Sequence, residues 1–144
     1  MAIFGAGSNW EGKEIKEDFF NNENYVIGWD ISDGEDLYNQ ISSIKVGDII
    51  YLKANKPGSL DLRVKGIGIV KKSLVNQLFD KRENLSINRR NFELPVRWIV
   101  KNEFHISIPS NTGKLTNVRA ATLYEEFLPF VQVEILDKLF NEIK

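Results

Sequence analysis

Lys45-Val46-Gly47-Asp48-Ile49-Ile50-Tyr51-Leu52-Lys53-Ala54 is the stretch that decides the fold. Glycine admits a backbone angle that other residues resist, and an aspartate beside it can bond the amides of its own turn, so Gly47-Asp48 reads as a turn. The β-branched and aromatic run behind it, closed by Lys53, reads as a strand to about Ala54. Asn55-Lys56-Pro57-Gly58-Ser59 is a turn by composition. Leu60 to Lys72 is then the partner strand of an antiparallel hairpin, in which Arg63 and Lys65 alternate with Leu62 and Val64 before Ile67-Gly68-Ile69-Val70. Gly66 and Gly68, two residues apart, leave a bare patch on one face, which implies a bulge or a close-packed neighbour such as an aromatic ring ahead of a ligand lying against the sheet.

Towards the N-terminus, Ala2 to Gly7 is a first strand and Ser8-Asn9-Trp10-Glu11-Gly12 turns the chain. Lys13 to Asn22 has a helical pattern, with Ile15 and Phe19 four apart and Phe20 beside them. Tyr25 to Trp29 is a compact apolar strand that stops at Asp30. Ser32-Asp33-Gly34-Glu35 fits a capping box, and the helix it opens carries Leu37, Ile41 and Ile44 on one stripe.

Beyond the hairpin, Ser73 to Phe92 suggests a helical turn or two around Leu74 and Leu78, then polar loop. Leu94 to Ile108 is a long extended run whose even positions, Val96, Trp98, Val100, Phe104 and Ile106, are apolar. Pro109 to Asn117 is a loop and Val118 to Phe127 a short helix. Phe130 to Ile143 is a closing helix with Val131, Ile135, Leu139 and Ile143 on one stripe. A doubly wound parallel sheet needs helical crossovers throughout, and the second half has none. The expected class is α+β: a small mixed-sheet or β-barrel domain with helices packed around it.

The 144 residues fit one domain, 1–144, and with 42% hydrophobic residues they form a core without staples. The absence of cysteine excludes disulfides and thiolate metal sites. Nineteen basic residues against 20 acidic ones leave a net charge of −1, so any nucleic-acid contact must come from a local patch. Met1-Ala2-Ile3-Phe4 has neither a basic region nor a long apolar run, and no apolar segment has the roughly 20 residues of a membrane span. The expectation is a cytoplasmic protein with no membrane partner.

His105 is the one histidine, at a polar position of an alternating strand, where a surface role outweighs catalysis or ligation. No metal and no cofactor are expected. Gly66-Ile67-Gly68 lacks the third glycine of a dinucleotide fingerprint and the Gly-Lys-Ser/Thr of a P-loop. Trp98 falls on the core face. Trp10 and Trp29 each follow a strand amid turn residues; were those strands adjacent, the two indoles would gather at one rim with Asn9 and Asp30. Aromatic planes beside a short amide or carboxylate are what gripping a flat, hydrogen-bonding ring requires. Taken singly, either tryptophan is as simply a plug at the end of the core. Phosphate contacts on a nearly neutral chain would draw on Lys53, Lys56, Arg63 and Lys65 around the hairpin and on Lys81, Arg82, Arg89 and Arg90 in the connection, groups that otherwise form solvated faces. Arg119 follows a loop rich in further donors.

The succession Asn9-Trp10, Ile27-Gly28-Trp29-Asp30, Val46-Gly47-Asp48-Ile49-Ile50-Tyr51, Gly66-Ile67-Gly68-Ile69-Val70 and Val96-Arg97-Trp98 resembles the PUA-like superfamily. Within it the likeness is to the EVE and YTH group and to the modified-DNA-reading domains of McrB-type restriction systems. The resemblance implies a small β-barrel with helices around it, binding DNA or RNA and capturing one base, plain or modified, in an aromatic-lined pocket. It makes Asn9, Trp10, Trp29 and Asp30 pocket residues, with Lys53 and Arg119 as nearby contacts. Lys56, Arg63, Arg82, Arg89 and Arg90 would meet the nucleic-acid backbone. The near-neutral charge departs from the strongest members and keeps a nucleotide-like small ligand open. Two further classes stand beside this non-catalytic module: an enzyme acting on a nucleotide or nucleic acid, with Asp30 or Lys53 in acid–base roles, and a protein-interaction or regulatory domain.

Overall fold

The computed structural model describes residues 1–27, 35–54, 59–73, 76, 93–110 and 122–143, with the backbone alone for 35–38. The expectations for the Ser32 cap, the turn at 55–58, the connection at 74–92 and the loop at 111–117 therefore lie wholly or largely outside the described residues. Along the chain the elements are β1 (Ile3–Gly7), β2 (Asn9–Trp10), β3 (Lys13–Glu14), α1 (Lys16–Asn22), β4 (Asn24–Val26), α2 (Glu35–Ser42), β5 (Ile49–Ala54), β6 (Asp61–Val70), β7 (Glu93–Val100), β8 (Phe104–Ser107), β9 (Leu123–Glu125) and α3 (Pro129–Ile143).

The Gly47-Asp48 turn forms as its chemistry dictates. Gly47 takes a φ of 88°, and the buried Asp48 carboxylate accepts the Lys45 N–H at 2.8 Å and the Ala2 N–H at 2.9 Å. The second bond ties the start of β1 to the start of β5, and the two strands run parallel from Ile3↔Ile49 to Gly7↔Lys53. β6 pairs antiparallel with β5, as the hairpin reading requires. The whole sheet has the order β4-β7-β6-β5-β1-β9, with β8 also on β6, and curls into a half-barrel. The fold is thus α+β with a mixed sheet. The long run from Leu94 divides into β7 and β8, which follow each other along β6 and part at Lys101–Glu103.

Both faces of the sheet are covered. On one, Phe19 and Phe20 of α1 and Ile41 of α2 pack with Ile50, Leu52, Val96 and Trp98. On the other, Val131, Ile135 and Leu139 of α3 pack with Tyr51, Leu62, Val64, Ile67 and Ile106. Trp98 is a core residue whose indole N–H donates to the Asn24 carbonyl at 3.0 Å. Gly66 and Gly68 act as close-approach points: a Cβ at Gly66 would lie 2.8 Å from the Phe20 ring, and one at Gly68 2.9 Å from the Arg97 carbonyl oxygen.

Four expectations are corrected. The helix read from Lys13 starts at Lys16, because Lys13 and Glu14 pair with Trp10 and Asn9 in a separate ribbon. The strand beginning at Tyr25 begins at Asn24, and it pairs with β7 rather than lying beside β1. The short helix read over Val118–Phe127 is, in its described part, the strand β9; Tyr124 opposes Gly5, whose missing side chain leaves room for the phenol ring. The buried stripe of α3 stops at Leu139, since Ile143 is exposed in the last turn. No helix among the described residues is long and apolar enough to cross a membrane.

Gly68→Ala should lower stability by about 1–3 kcal/mol, the usual cost of forcing extra atoms into a packed core, because the opposing carbonyl belongs to the paired strand and cannot yield as a side chain would. Urea denaturation of both proteins measures it; a loss below about 0.5 kcal/mol would contradict the close approach.

Candidate functional site

The parallel pairing of β1 and β5 brings their C-terminal ends, Gly7-Ser8 and Lys53-Ala54, to one end of the sheet. β6 returns antiparallel past the same end. Leu52 faces Gly66 but Lys53 faces Val64, so Lys65 is an extra residue, a β-bulge in β6. The bulge overturns the alternating reading in which Lys65 pointed outward: Lys65 is 3% exposed.

The β2–β3 ribbon stands over this end. Its two-residue turn has Glu11 at φ 50° and Gly12 at φ 85°, the pair of positive angles of a type I′ hairpin. The Asn9 side-chain oxygen accepts the Gly12 N–H at 2.9 Å, so the amide of Asn9 is half used in holding the turn. Trp10 remains 38% exposed, with its ring edge-on to Phe19 at 6.2 Å between centroids, and Phe19 stands in turn against Tyr25 at 5.2 Å. The indole is thereby seated on the core from one side and open on the other.

Between ribbon and strand ends lies a cavity of about 440 Å³, lined by Ser8, Asn9, Trp10, Glu14, Lys53, Arg63, Lys65 and Thr122 with Gly7 and Ala54. Its floor holds a three-membered network. The Lys65 ammonium contacts the Glu14 carboxylate at 2.5 Å and donates to the Ser8 hydroxyl at 3.0 Å; Ser8 donates to the other Glu14 oxygen at 2.6 Å. That oxygen also accepts the Ile15 N–H at 3.0 Å and the Lys16 N–H at 3.3 Å. Burial alone would push the Glu14 carboxyl up, but the hydrogen bonds from Lys65 and Ser8, the Lys65 charge and the Lys16 amide together bring it below its ordinary value.

Lys53, on β5, is 7% exposed, with its ammonium 5.5 Å from the centre of the Tyr124 ring. Desolvation first, and then the charge of Lys65, lower its pKa to about 8. Arg63 is half-exposed at the wall and grips Glu103 with two bonds, at 3.0 and 2.7 Å, while Lys16 reaches the same carboxylate at 2.5 Å. The Arg63 and Lys16 bonds outweigh the slight burial of Glu103 and hold its carboxyl down at about 2. Among the described residues, three cationic side chains and one carboxylate thus line a cavity with an indole at its rim.

Of the residues singled out from the sequence, Asn9, Trp10, Lys53 and Arg63 come together here. Trp29, Asp30, Lys56, Arg82, Arg89, Arg90 and Arg119 lie outside the described residues. The adjacency on which a shared Trp10–Trp29 rim was reasoned does not exist in the sheet, because β7, β6 and β5 separate β4 from β1. His105 lies at the surface, 3.0 Å from Asp61. Lys65, named with the hairpin cations as a source of phosphate contacts, joins them in the cavity, though its alternation gives it to solvent; Ser8 and Glu14 are not among the residues singled out. For the burial of Lys65 the sequence holds a signal: a bulge is one of the meanings of the strand glycines, and Lys65 precedes the first of them. No family model matches this chain, and no curated protein sequence matches it either.

Removing one partner of a buried ion pair leaves a charge without compensation. Glu14→Gln should therefore cost about 2–3 kcal/mol at pH 7, less than the about 3–5 kcal/mol of fully buried pairs, since Glu14 keeps a third of its surface in water. Adding Lys65→Met should recover most of the loss. Urea denaturation of the single and double variants checks this, and equal losses in both would show that the pair does not hold the ribbon.

Proposed function

We propose that this protein is a non-catalytic module that binds nucleic acid, or a nucleotide, and takes a single base, plain or modified, against Trp10. The observation that carries the reading is the seating of Trp10: a half-exposed indole at the rim of a cavity of about 440 Å³, braced edge-on by Phe19 and flanked by Asn9. That volume falls within the roughly 300–1,000 Å³ of small-molecule sites. Stacking needs a ring held in one orientation with one face free, and hydrogen-bond readout needs a nearby amide. Asn9 has its oxygen engaged by Gly12, so its amide nitrogen is the group offered to an acceptor on the base edge.

On this reading the domain is PUA-like, akin to the EVE, YTH and McrB-type base readers, which accords with a curled mixed sheet flanked by helices. The same resemblance makes Trp29, Asp30 and Arg119 base-contacting residues, although they lie outside the described residues and β4, which leads to Trp29, is not a neighbour of β1 in the sheet. Lys56, Arg82, Arg89 and Arg90 supply backbone contacts, and Arg63 contributes from the cavity wall while shared with Glu103. One observation favours a second reading, an enzyme acting on a nucleotide: Lys53, with its pKa lowered to about 8, is poised for proton transfer near neutrality.

Base stacking on an aromatic side chain contributes about 1–3 kcal/mol, so Trp10→Ala should weaken binding by about 10- to 100-fold. Titrations of plain and modified oligonucleotides and of mononucleotides at low salt, followed calorimetrically, measure this. An absence of binding by all of them, or equal affinities in wild type and Trp10→Ala, would refute base recognition. Turnover of a bound nucleotide that is lost in Lys53→Met would replace the module by the enzyme.

A further inference from the structure

The charges of Lys65 and Arg63 are matched, and what the cavity has left over is hydrogen-bonding capacity of one kind. Glu14 and Ser8 meet Lys65, and Glu103 meets Arg63. An ammonium carries three N–H donors and no acceptor. Two of the donors on Lys65 go to Glu14 and Ser8; among the described residues the third has no partner, in a side chain that is almost wholly buried. The Asn9 oxygen is taken by the Gly12 N–H, while its two amide N–H groups have no partner among the described residues. The acceptors around them are engaged. One Glu14 oxygen receives Ser8, Ile15 and Lys16, the other faces Lys65, and the Thr122 carbonyl receives the Gly7 N–H at 2.8 Å. A buried donor without an acceptor costs free energy, and a neutral acceptor satisfies it without adding charge.

We propose that the cavity selects oxo bases, guanine first and uracil or thymine after it, over the amino bases adenine and cytosine, with Lys65 and Asn9 as the specificity-determining residues. This rests on the base-binding reading above and names the class of base that it takes.

The base edges differ where these donors act. Guanine presents two neighbouring acceptors, O6 and N7, and their pairing with a cationic side chain is the commonest base-specific contact. Adenine keeps N7 but carries an amino group in place of O6, so a donor would face a donor. Uracil and thymine offer O4 where cytosine again carries an amino group. An asparagine reads adenine by using its oxygen and its nitrogen together. Here the oxygen is committed to the ribbon turn, so Asn9 keeps only the half of its amide that an acceptor can use. The layout in depth agrees: Trp10, 38% exposed, lies at the rim, and Lys65 lies in the floor. A base stacked on the indole with its acceptor edge turned inward meets donors alone. An amino base in the same pose leaves its own N–H and that of Lys65 unpaired away from water.

The test is calorimetry on the full chain at pH 7 with two series of probes. One is the 5′-monophosphates of guanosine, inosine, 7-deazaguanosine, adenosine, uridine and cytidine; the other is an RNA pentamer of adenines whose central base is varied in the same way. The guanine member should bind at least about tenfold tighter than the adenine member, and uracil tighter than cytosine, as one good base-edge contact provides. Inosine, which retains O6 and N7, should stay within about threefold of guanosine, and 7-deazaguanosine, which lacks N7, should bind about three- to tenfold more weakly. Asn9→Asp keeps an oxygen for Gly12 and turns the free donor into an acceptor, so it should bring the guanine-to-adenine ratio within about threefold. Lys65→Gln, which can accept as well as donate, should act in the same direction where it folds; Asn9→Asp and the base analogues carry the test without it. Equal affinities for guanine, hypoxanthine and adenine, or a preference for the amino bases, overturn the assignment. If Trp10→Ala still weakens binding in that case, base recognition stands without it. A guanine preference that survives both Asn9→Asp and the loss of N7 overturns the roles given to Asn9 and Lys65. Absence of binding in both series overturns the assignment and base recognition together.

Discussion

The Lys65 ammonium lies inside the protein, held by the Glu14 carboxylate at 2.5 Å and the Ser8 hydroxyl at 3.0 Å, and this contact sets where the site is. A buried cation requires partners, because the loss of water is compensated only by close opposite charge and satisfied hydrogen bonds. Here the partners come from the end of β1 and from β3, so the demand of a residue in the sheet draws the ribbon down onto it. Asn9 and Trp10 travel with that ribbon. Glu14 also accepts the Ile15 and Lys16 N–H groups, so the same carboxylate fixes the entry into α1. α1 in turn supplies Phe19, on which Trp10 rests. Rim, floor and supporting helix are thus coupled through one carboxylate.

Lys65 reaches this position because β6 does not keep a uniform pleat. Its extra residue lies next to Gly66, where Phe20 comes too close for a side chain, and Gly68 repeats the device against Trp98 and β7. A second register shift occurs across Ile67 and Gly68 on the β7 side. Bulges sharpen local twist and bend the strand. A ten-residue strand can thereby serve β5 along one edge and both β7 and β8 along the other while the sheet curls.

Features fixed by local chemistry were legible in the sequence. The Gly47-Asp48 turn, the β5–β6 hairpin, the core place of Trp98 and the crowding at Gly66 and Gly68 follow from turn residues and from period-two patterning. Features fixed by distant contacts were not. Lys65 and Ser8 are 57 residues apart, and alternation assigns Lys65 to solvent unless the bulge is already known. The β2–β3 turn carries Glu11 at a positive φ in place of the asparagine or glycine that marks such turns, which made Lys13 and Glu14 look helical. β9 reads as helix in the sequence because its strand state depends on β1, and on its outer edge the Gln40 amide bonds the Leu123 carbonyl and the Glu125 N–H only with its nitrogen and oxygen exchanged. Asn9, Trp10 and Lys53 were recognisable as residue types; that they share one cavity depends on the parallel pairing of β1 and β5, which no local pattern states.

That pairing also gives the sheet two unlike ends. At the start of β1 and β5, Asp48 turns its two carboxylate oxygens onto the backbone amides of Ala2 and Lys45, an arrangement spent on holding the strands. At the other end the same two strands finish in Ser8 and in Lys53-Ala54, and β6 adds Arg63 and Lys65. Parallel strands can share such a mouth because both run out in the same direction; an antiparallel partner would have placed the beginning of one beside the end of the other. The stretch around Gly47-Asp48 therefore acts at both ends. Its aspartate fixes the register of β1 against β5, and that register sets Lys53 opposite Gly7, one residue before Ser8 and the carboxylate network that buries Lys65.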